Sequence, residues 1–129
     1  MKDFYYRKLD AFNLSKQLVI LTYQLLLKFP DHERFSLCEQ LRRSTVSIPS
    51  NIAEGTGRFS LKDRMRFIDI AYGSLCEAMC QMEIASDLGY VETDDFQQFE
   101  ELASRVSMTI IGLKKNYELK MNNSINPQA

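Results

Sequence analysis

Apolar residues recur every three to four positions along four stretches of this chain, which is the spacing of amphipathic helices. These stretches predict helices at about 10–28, 37–54, 61–88 and 94–121. The connections between them are short, and short connections favour antiparallel neighbours. The pattern therefore predicts an all-α protein, an antiparallel up-down four-helix bundle that forms a single domain over residues 1–121. The polar residues 122–129 predict a disordered tail.

Residues that start and stop helices lie near the predicted boundaries. The segment Ser36–Glu39 has the spacing of a capping box, in which hydroxyl and carboxylate bind free N–H groups. Ser60 is expected to cap the third helix in a similar way. Gly55–Gly57 and Gly89 are expected to end the second and third helices, because glycine tolerates a left-handed cap.

The first predicted helix is apolar on two sides. One side carries the expected core stripe, namely Leu14, Leu18, Leu21 and Leu25. A helix that is apolar all round must be buried all round, yet a four-helix bundle has only one interior. The outer face therefore predicts a homo-oligomer. Its candidate interface residues are Val19, Ile20, Tyr23, Leu26 and Leu27.

Four polar residues at apolar or interrupted positions need partners. Arg42 lies on the apolar shoulder of the second helix, where a guanidinium needs a carboxylate or a place in the interface. Asn51 and Glu54 follow Pro49, and we expect them to satisfy backbone groups that the proline leaves free. Glu77 is expected to pair with an arginine of the second helix. A ligand pocket lined by Asn51, Glu54 and Glu77 is the alternative interpretation.

Charge is distributed unevenly along the chain, although the net charge is only −1. Residues 1–66 hold 12 Lys/Arg against 7 Asp/Glu, and residues 67–129 hold 4 against 10. The candidate RNA- or partner-binding residues are Arg43, Arg58, Lys62, Arg64 and Arg66. One interpretation is a phosphate-binding patch around the turn between the second and third helices. The other is solvated surface that pairs with the acidic half of a neighbouring copy.

Catalytic and metal chemistry find no support in the residue pattern. Cys38, Cys76, Cys80 and His32 lack the close Cys-x-x-Cys spacing of zinc sites, and cysteine is commonly a small core residue. Cys76 and Cys80 are four apart on a helix, too far for an unstrained disulfide. The cysteine pattern predicts reduced thiols and a cytoplasmic location. The absence of a long apolar segment predicts no membrane contact. The residue pattern as a whole predicts no cofactor, no small-molecule substrate and no catalytic residue.

The stretch Gln40–Arg58, with the sequence QLRRSTVSIPSNIAEGTGR, resembles the signature of the bacterial 23S rRNA-intervening-sequence protein family. Phe67–Glu77 and Ala85–Tyr90 are similar to two later landmarks of that family. The resemblance extends from about Leu9 to Leu119. It therefore covers most of the chain.

The resemblance implies a small four-helix bundle that assembles into a ring, a pentamer. Some family members are encoded inside insertions in ribosomal RNA genes. A related branch is the accessory protein of diversity-generating retroelements, a basic ring that binds a reverse transcriptase and nucleic acid, and no catalytic residues come with the family. We therefore expect a non-enzymatic accessory protein associated with RNA or a reverse transcriptase. The alternative is a protein-binding scaffold with no nucleic-acid role, which the net charge of −1 favours.

Overall fold

A computed structural model of the protein describes residues 3–125, in which four α-helices account for most of the chain. They are α1 (Asp10–Leu26), α2 (Leu37–Thr56), α3 (Leu61–Asp87) and α4 (Thr93–Ile125). Short 3-10 turns at Tyr5–Lys8 and Asp31–Glu33 precede α1 and α2. No strand occurs within residues 3–125. The predicted all-α fold with four helices is thus confirmed.

Each helix packs against the next along the chain, and α4 closes the bundle against α1. Two ion pairs show that neighbours run antiparallel. Lys114 near the end of α4 lies 2.6 Å from Asp69 near the start of α3, and Lys28 after α1 lies 3.1 Å from Asp95 at the start of α4. The largest fully buried side chains fill the space between the helices: Phe99, Leu18, Leu41, Ile48, Ile52, Ile68, Met82, Ile110 and Val106.

The start of α2 differs from the predicted capping box. The Ser36 hydroxyl donates to the Glu33 carboxylate at 2.7 Å and makes no cap hydrogen bond to the helix. Glu39 instead pairs with Arg43, one turn further along α2, at 3.1 Å. The Ser36 hydroxyl therefore bonds to the carboxylate three residues before it, and not to the N–H groups of α2 that the capping-box pattern predicted as its partners. This hydrogen bond lowers the pKa of Glu33.

The other helix ends follow the sequence more closely, with one exception. Ser60 accepts from the Asp63 N–H at 3.0 Å, so the predicted cap of α3 is confirmed. Gly89 has φ +83°, and the Tyr90 N–H donates to the Ala85 carbonyl, which together form a Schellman cap. Gly57, by contrast, has φ −86°, so its predicted left-handed conformation is wrong. Its N–H continues the right-handed turn of α2 instead.

Helix α4 is longer than predicted. It continues through Ile125, so the prediction of disorder is wrong for residues 122–125, while residues 126–129 lie outside the described part. The stretch after residue 112 contains no glycine or proline before Pro127 that would stop the helix. Helix α1 is shorter, because residues 27–29 close with tighter i to i−3 hydrogen bonds before Pro30.

A row of polar side chains joins the middle of α2 to α3. The Ser44 hydroxyl donates to Gln81 at 2.8 Å, and the Gln81 amide in turn donates to Glu77 at 3.1 Å. The hydroxyls of Ser47 and Ser74 lie 2.8 Å apart. Small hydroxyl residues let the two backbones approach while each polar group keeps a partner.

The predicted polar network differs from the observed one. The Asn51 amide donates to both the carbonyl and the hydroxyl of Ser47, at 2.8 and 2.9 Å, and not to the Thr45 carbonyl that Pro49 leaves without its helical N–H. Glu54 pairs with Arg58 at 2.8 Å rather than with backbone freed by Pro49, because that arginine lies one turn away on the exposed side of the helix. Glu77 accepts from Gln81 and not from an arginine.

Helices α2 and α3 are in close contact at Gly55. A Cβ built there would lie 2.8 Å from the Phe67 Cβ and 3.2 Å from the Arg64 carbonyl oxygen. Separations below 3 Å require one of the two helices to shift, because both contacting atoms belong to or adjoin the backbone. Gly55 thus sets the spacing of α2 and α3 beside their connecting turn.

We predict that Gly55→Ala destabilises the protein by about 1–3 kcal/mol, the usual cost of overpacking, despite alanine's higher helix propensity. Gly73→Ala on α3 is the matched control, since nothing lies within 4 Å of its built Cβ. That variant should be stabilised by up to about 1 kcal/mol. Urea unfolding at equal chain concentration measures both. Equal effects of the two substitutions would contradict the close contact.

Candidate self-association and nucleic-acid surfaces

The outer face of α1 is an exposed apolar surface, as the sequence predicts. Ile20 is 53% exposed and Leu27 is 86% exposed, and Tyr23 lies between them on the same side of the helix. With Val19 and Gln24, they line an open depression of about 510 Å³. We call Val19, Ile20, Tyr23 and Leu27 the α1 face. A contiguous patch of this kind marks an interaction site more often than a free surface.

Leu26 does not belong to this face. It is 8% exposed and packs in the core, so its assignment to the interface is wrong. Positions 18, 22 and 26 follow one another at four-residue spacing, which places them along the same side of the helix. Leu18 and Thr22 are fully buried, and Leu26 continues their row.

Arg42 borders the α1 face but is satisfied differently from the prediction. Its guanidinium donates to the Arg34 carbonyl oxygen at 3.0 Å, so a backbone group takes the place of the expected carboxylate. Tyr23, Leu27 and Arg42 line one notch of about 340 Å³ at the end of α1. Arg42 therefore adds a positive charge at the rim of the α1 face.

Most of the predicted basic residues lie in the turn between α2 and α3 or in the first two turns of α3. The Arg58 guanidinium lies 2.8 Å from Glu54 and 4.5 Å from the centre of the Phe67 ring. The Arg66 guanidinium lies 4.9 Å from the same ring. Two cations thus share the aromatic ring of Phe67, an arrangement that holds them in place through cation–π attraction. Lys62, on the first turn of α3, is exposed.

Arg64 has a structural role that its neighbours lack. Its Nε–H donates to the Arg58 carbonyl oxygen at 2.6 Å, which fastens α3 to the last residues of the turn. Its guanidinium also lies 5.8 Å from the centre of the Tyr117 ring of α4. Burial raises the pKa of Tyr117, and the positive charge of Arg64 opposes that shift. Arg64 therefore joins three elements at this end of the bundle.

Arg43 does not belong to the cluster. It lies near the start of α2, roughly 22 Å along the helix from Arg58 at 1.5 Å per residue, and pairs with Glu39. The antiparallel topology brings residues 3–8, 58–66 and 114–120 together instead. We call this the basic end. The opposite end holds the acidic residues Asp31, Glu33, Asp87, Glu92, Asp94 and Asp95.

Aromatic residues next to the basic end escaped the sequence analysis. Phe4, Tyr5 and Tyr6 line a groove of about 540 Å³ together with Arg58 and Phe59. The Phe59 side chain is completely exposed. No local pattern links positions about fifty residues apart. The signal that the sequence does contain is the run of three aromatic residues at 4–6, just before α1.

The cysteines differ in their surroundings. Cys38 is buried, and this burial raises the pKa of its thiol, as suits a core residue. Cys76 and Cys80 are exposed on α3, so their expected place in the core is wrong. Among residues 3–125, no three His, Cys, Asp or Glu side chains come together as metal ligands. No helix in that range has the length and apolarity needed to cross a membrane.

These features define a small all-α bundle protein with one apolar side face and one basic end. Residues 7–112 match the sequence model of a family described as 23S rRNA-intervening sequence protein. The chain belongs to that family, which confirms the resemblance carried by Gln40–Arg58. Neither the family description nor the similar structure described below names a catalytic activity.

A similar solved structure supports the same fold. It is the crystal structure of a protein of unknown function from the S23 ribosomal protein family, from Bacteroides thetaiotaomicron. The two chains share 19% identity with a TM-score of 0.73, over 81% of this chain and 98% of that one. At this identity the likeness supports the fold alone. No curated protein sequence matches the chain.

We predict that Arg64→Met lowers the free energy of unfolding by about 1 kcal/mol or more, because the Arg58 carbonyl loses a charged donor. Lys62→Met also replaces a long cationic side chain by an uncharged one, but at an exposed neighbouring position. It should change the free energy of unfolding by less than about 0.5 kcal/mol. Thermal or urea unfolding at matched concentration gives the difference. If the two variants unfold alike, Arg64 is an ordinary surface cation.

Proposed function

We propose that this protein is a non-enzymatic accessory protein that forms a ring-like homo-oligomer and associates with RNA through its basic end. The α1 face joins the copies, and the cations around the α2–α3 turn contact phosphates. The observation that carries the proposal is the separation of charge along the bundle. Cations outnumber acidic residues at one end, and acidic residues outnumber cations at the other, despite a net charge of −1.

Self-association is supported by the shape and chemistry of the α1 face. Ile20, Tyr23 and Leu27 expose apolar surface along about two turns at the end of α1, and Gln24 is the polar residue that lies beside them on that side. Burial of apolar area stabilises association by roughly 25 cal/mol per Å² before the costs of association are subtracted. A pentamer, as the family resemblance implies, would cover this face in every copy.

We predict that Ile20→Glu with Leu27→Glu converts the protein to a monomer of 15.0 kDa. Both side chains are exposed in the single chain, so the fold should survive while the interface acquires unpaired charges. Light scattering coupled to size exclusion, with circular dichroism as the folding check, measures this. Leu119→Glu on α4 is the control, since Leu119 is an exposed leucine outside the α1 face. A wild-type monomer at micromolar concentration would remove the basis of the proposal.

RNA association is supported by the placement of the cations. Helix α3 has 27 residues, so the basic and acidic ends lie roughly 40 Å apart at 1.5 Å per residue. Salt screens charges beyond about 8 Å at physiological ionic strength. The acidic end therefore does not cancel the attraction of a phosphate to Arg58, Lys62 or Arg66.

We predict that affinity for single-stranded RNA falls steeply with salt, with a slope of about −0.7 in log K against log salt for each phosphate contact. Lys62→Ala and Arg66→Gln should each weaken binding for all sequences alike and flatten the slope by about 0.7. Arg105→Ala, which removes an exposed cation midway along α4, is the control. Fluorescence anisotropy at several salt concentrations measures all four proteins.

A protein-binding scaffold without a nucleic-acid role is the second candidate. The pairing of Arg58 with Glu54 and of Arg66 with Asp63 favours it, because paired cations bind phosphate less readily. The same measurement separates the two. Absence of RNA binding at low salt, with the assembly intact, retires the RNA role and leaves the scaffold.

A further inference from the structure

One wall of the groove at the basic end is anchored to α1 by ring packing and a hydrogen bond. Tyr6 packs edge-on against Phe12 of α1, with 4.6 Å between ring centres, and stacks on Phe4 at 6.0 Å. The Asn13 side chain of α1 donates to the Arg7 carbonyl oxygen at 3.0 Å. The aromatic segment before α1 is thus fastened to the bundle, and it forms one wall of the groove.

The opposite wall comes from the end of α2 and the turn that follows it. Arg58 and Phe59 lie on this wall, and Phe59 exposes its whole ring. Glu54 also lines the groove, but its carboxylate is 2.8 Å from the Arg58 guanidinium, which offsets its charge. Helix α3, with Lys62 and Arg66 on its first two turns, begins two residues after Phe59.

Exposed rings beside cations are the arrangement by which proteins hold an unpaired strand of nucleic acid. Every base has a flat apolar face that stacks on an aromatic side chain, and the backbone phosphates follow the cations. Bases in a duplex are already stacked on one another and do not offer these faces. Within the described chain, the exposed rings of Tyr5 and Phe59 stack on no other ring, whereas Phe4 has Tyr6 on one side and remains largely exposed on the other.

Resting on the RNA association proposed above, we infer that this groove is a base-stacking site for unpaired RNA. Phe59 and Tyr5 receive the bases, Phe4 extends the platform, and Lys62 and Arg66 hold the flanking phosphates. Recognition is by strand state rather than by sequence, because no base-edge contact is required for stacking. The protein therefore selects single-stranded segments over duplex RNA.

The test uses the full chain and a 12-nucleotide unpaired RNA, alone and annealed to its complement. We expect the single strand to bind at least about tenfold more tightly than the duplex. Phe59→Ala should weaken single-strand binding at least about fivefold, the lower limit for loss of one stacked base, without changing the salt slope. Phe59→Tyr should retain binding, because the ring remains. The matched control is Phe35→Ala, an exposed phenylalanine beside Arg34 at the acidic end, which should have no effect.

The outcomes distinguish the stacking site from the RNA association on which it rests. Equal affinity for duplex and single strand, or unchanged binding by Phe59→Ala, overturns the stacking site while the RNA association stands. Binding by neither RNA form at low salt removes the proposed association itself. Tyrosine emission gives an independent reading, since the chain contains no tryptophan. Bound RNA should quench it, and Tyr5→Phe should reduce the quenching.

Discussion

The close contact between α2 and α3 at Gly55 is the constraint on which the rest of the basic end depends. Because Gly55 has no side chain, Phe67 reaches the end of α2 and offers its ring to both Arg58 and Arg66. The same proximity lets Arg64 reach back to the Arg58 carbonyl. A wider gap would separate Arg58 from the Phe67 ring and from the Arg64 side chain, both of which belong to α3. The absence of a side chain at Gly55 therefore determines how the arginines that follow it are positioned.

Periodicity was enough to predict the helices and most of the core, because burial repeats with the helical turn. It failed where a single residue had two competing partners. The Ser36 hydroxyl bonds to the Glu33 carboxylate instead of a backbone N–H of α2. Leu26 lies between the core side and the outer side of α1 and is buried. The groove of Phe4, Tyr5 and Phe59 was beyond sequence reasoning for another reason. Its walls meet only through the closure of the bundle, which no local pattern encodes.

The two candidate surfaces do not compete for the same residues. The α1 face runs along the side of the bundle, whereas the groove opens at its end. Copies that associate side by side would therefore leave every groove uncovered. In a cyclic arrangement the grooves would point the same way, and a strand held by one would pass close to the next. Binding that is weak at one groove would then be tight for the whole assembly, because a strand held at one groove has a high effective concentration at the next.

The separation of charge along the bundle also gives the molecule an electric dipole. A dipole turns a particle before contact, so an approaching polyanion meets the positive pole first even though the net charge is slightly negative. When copies align around an axis, their dipole components along that axis add, while the net charge grows only by one for each copy. An assembled particle would therefore be guided more strongly than the single chain. Its rate of capture should rise with the number of copies it contains.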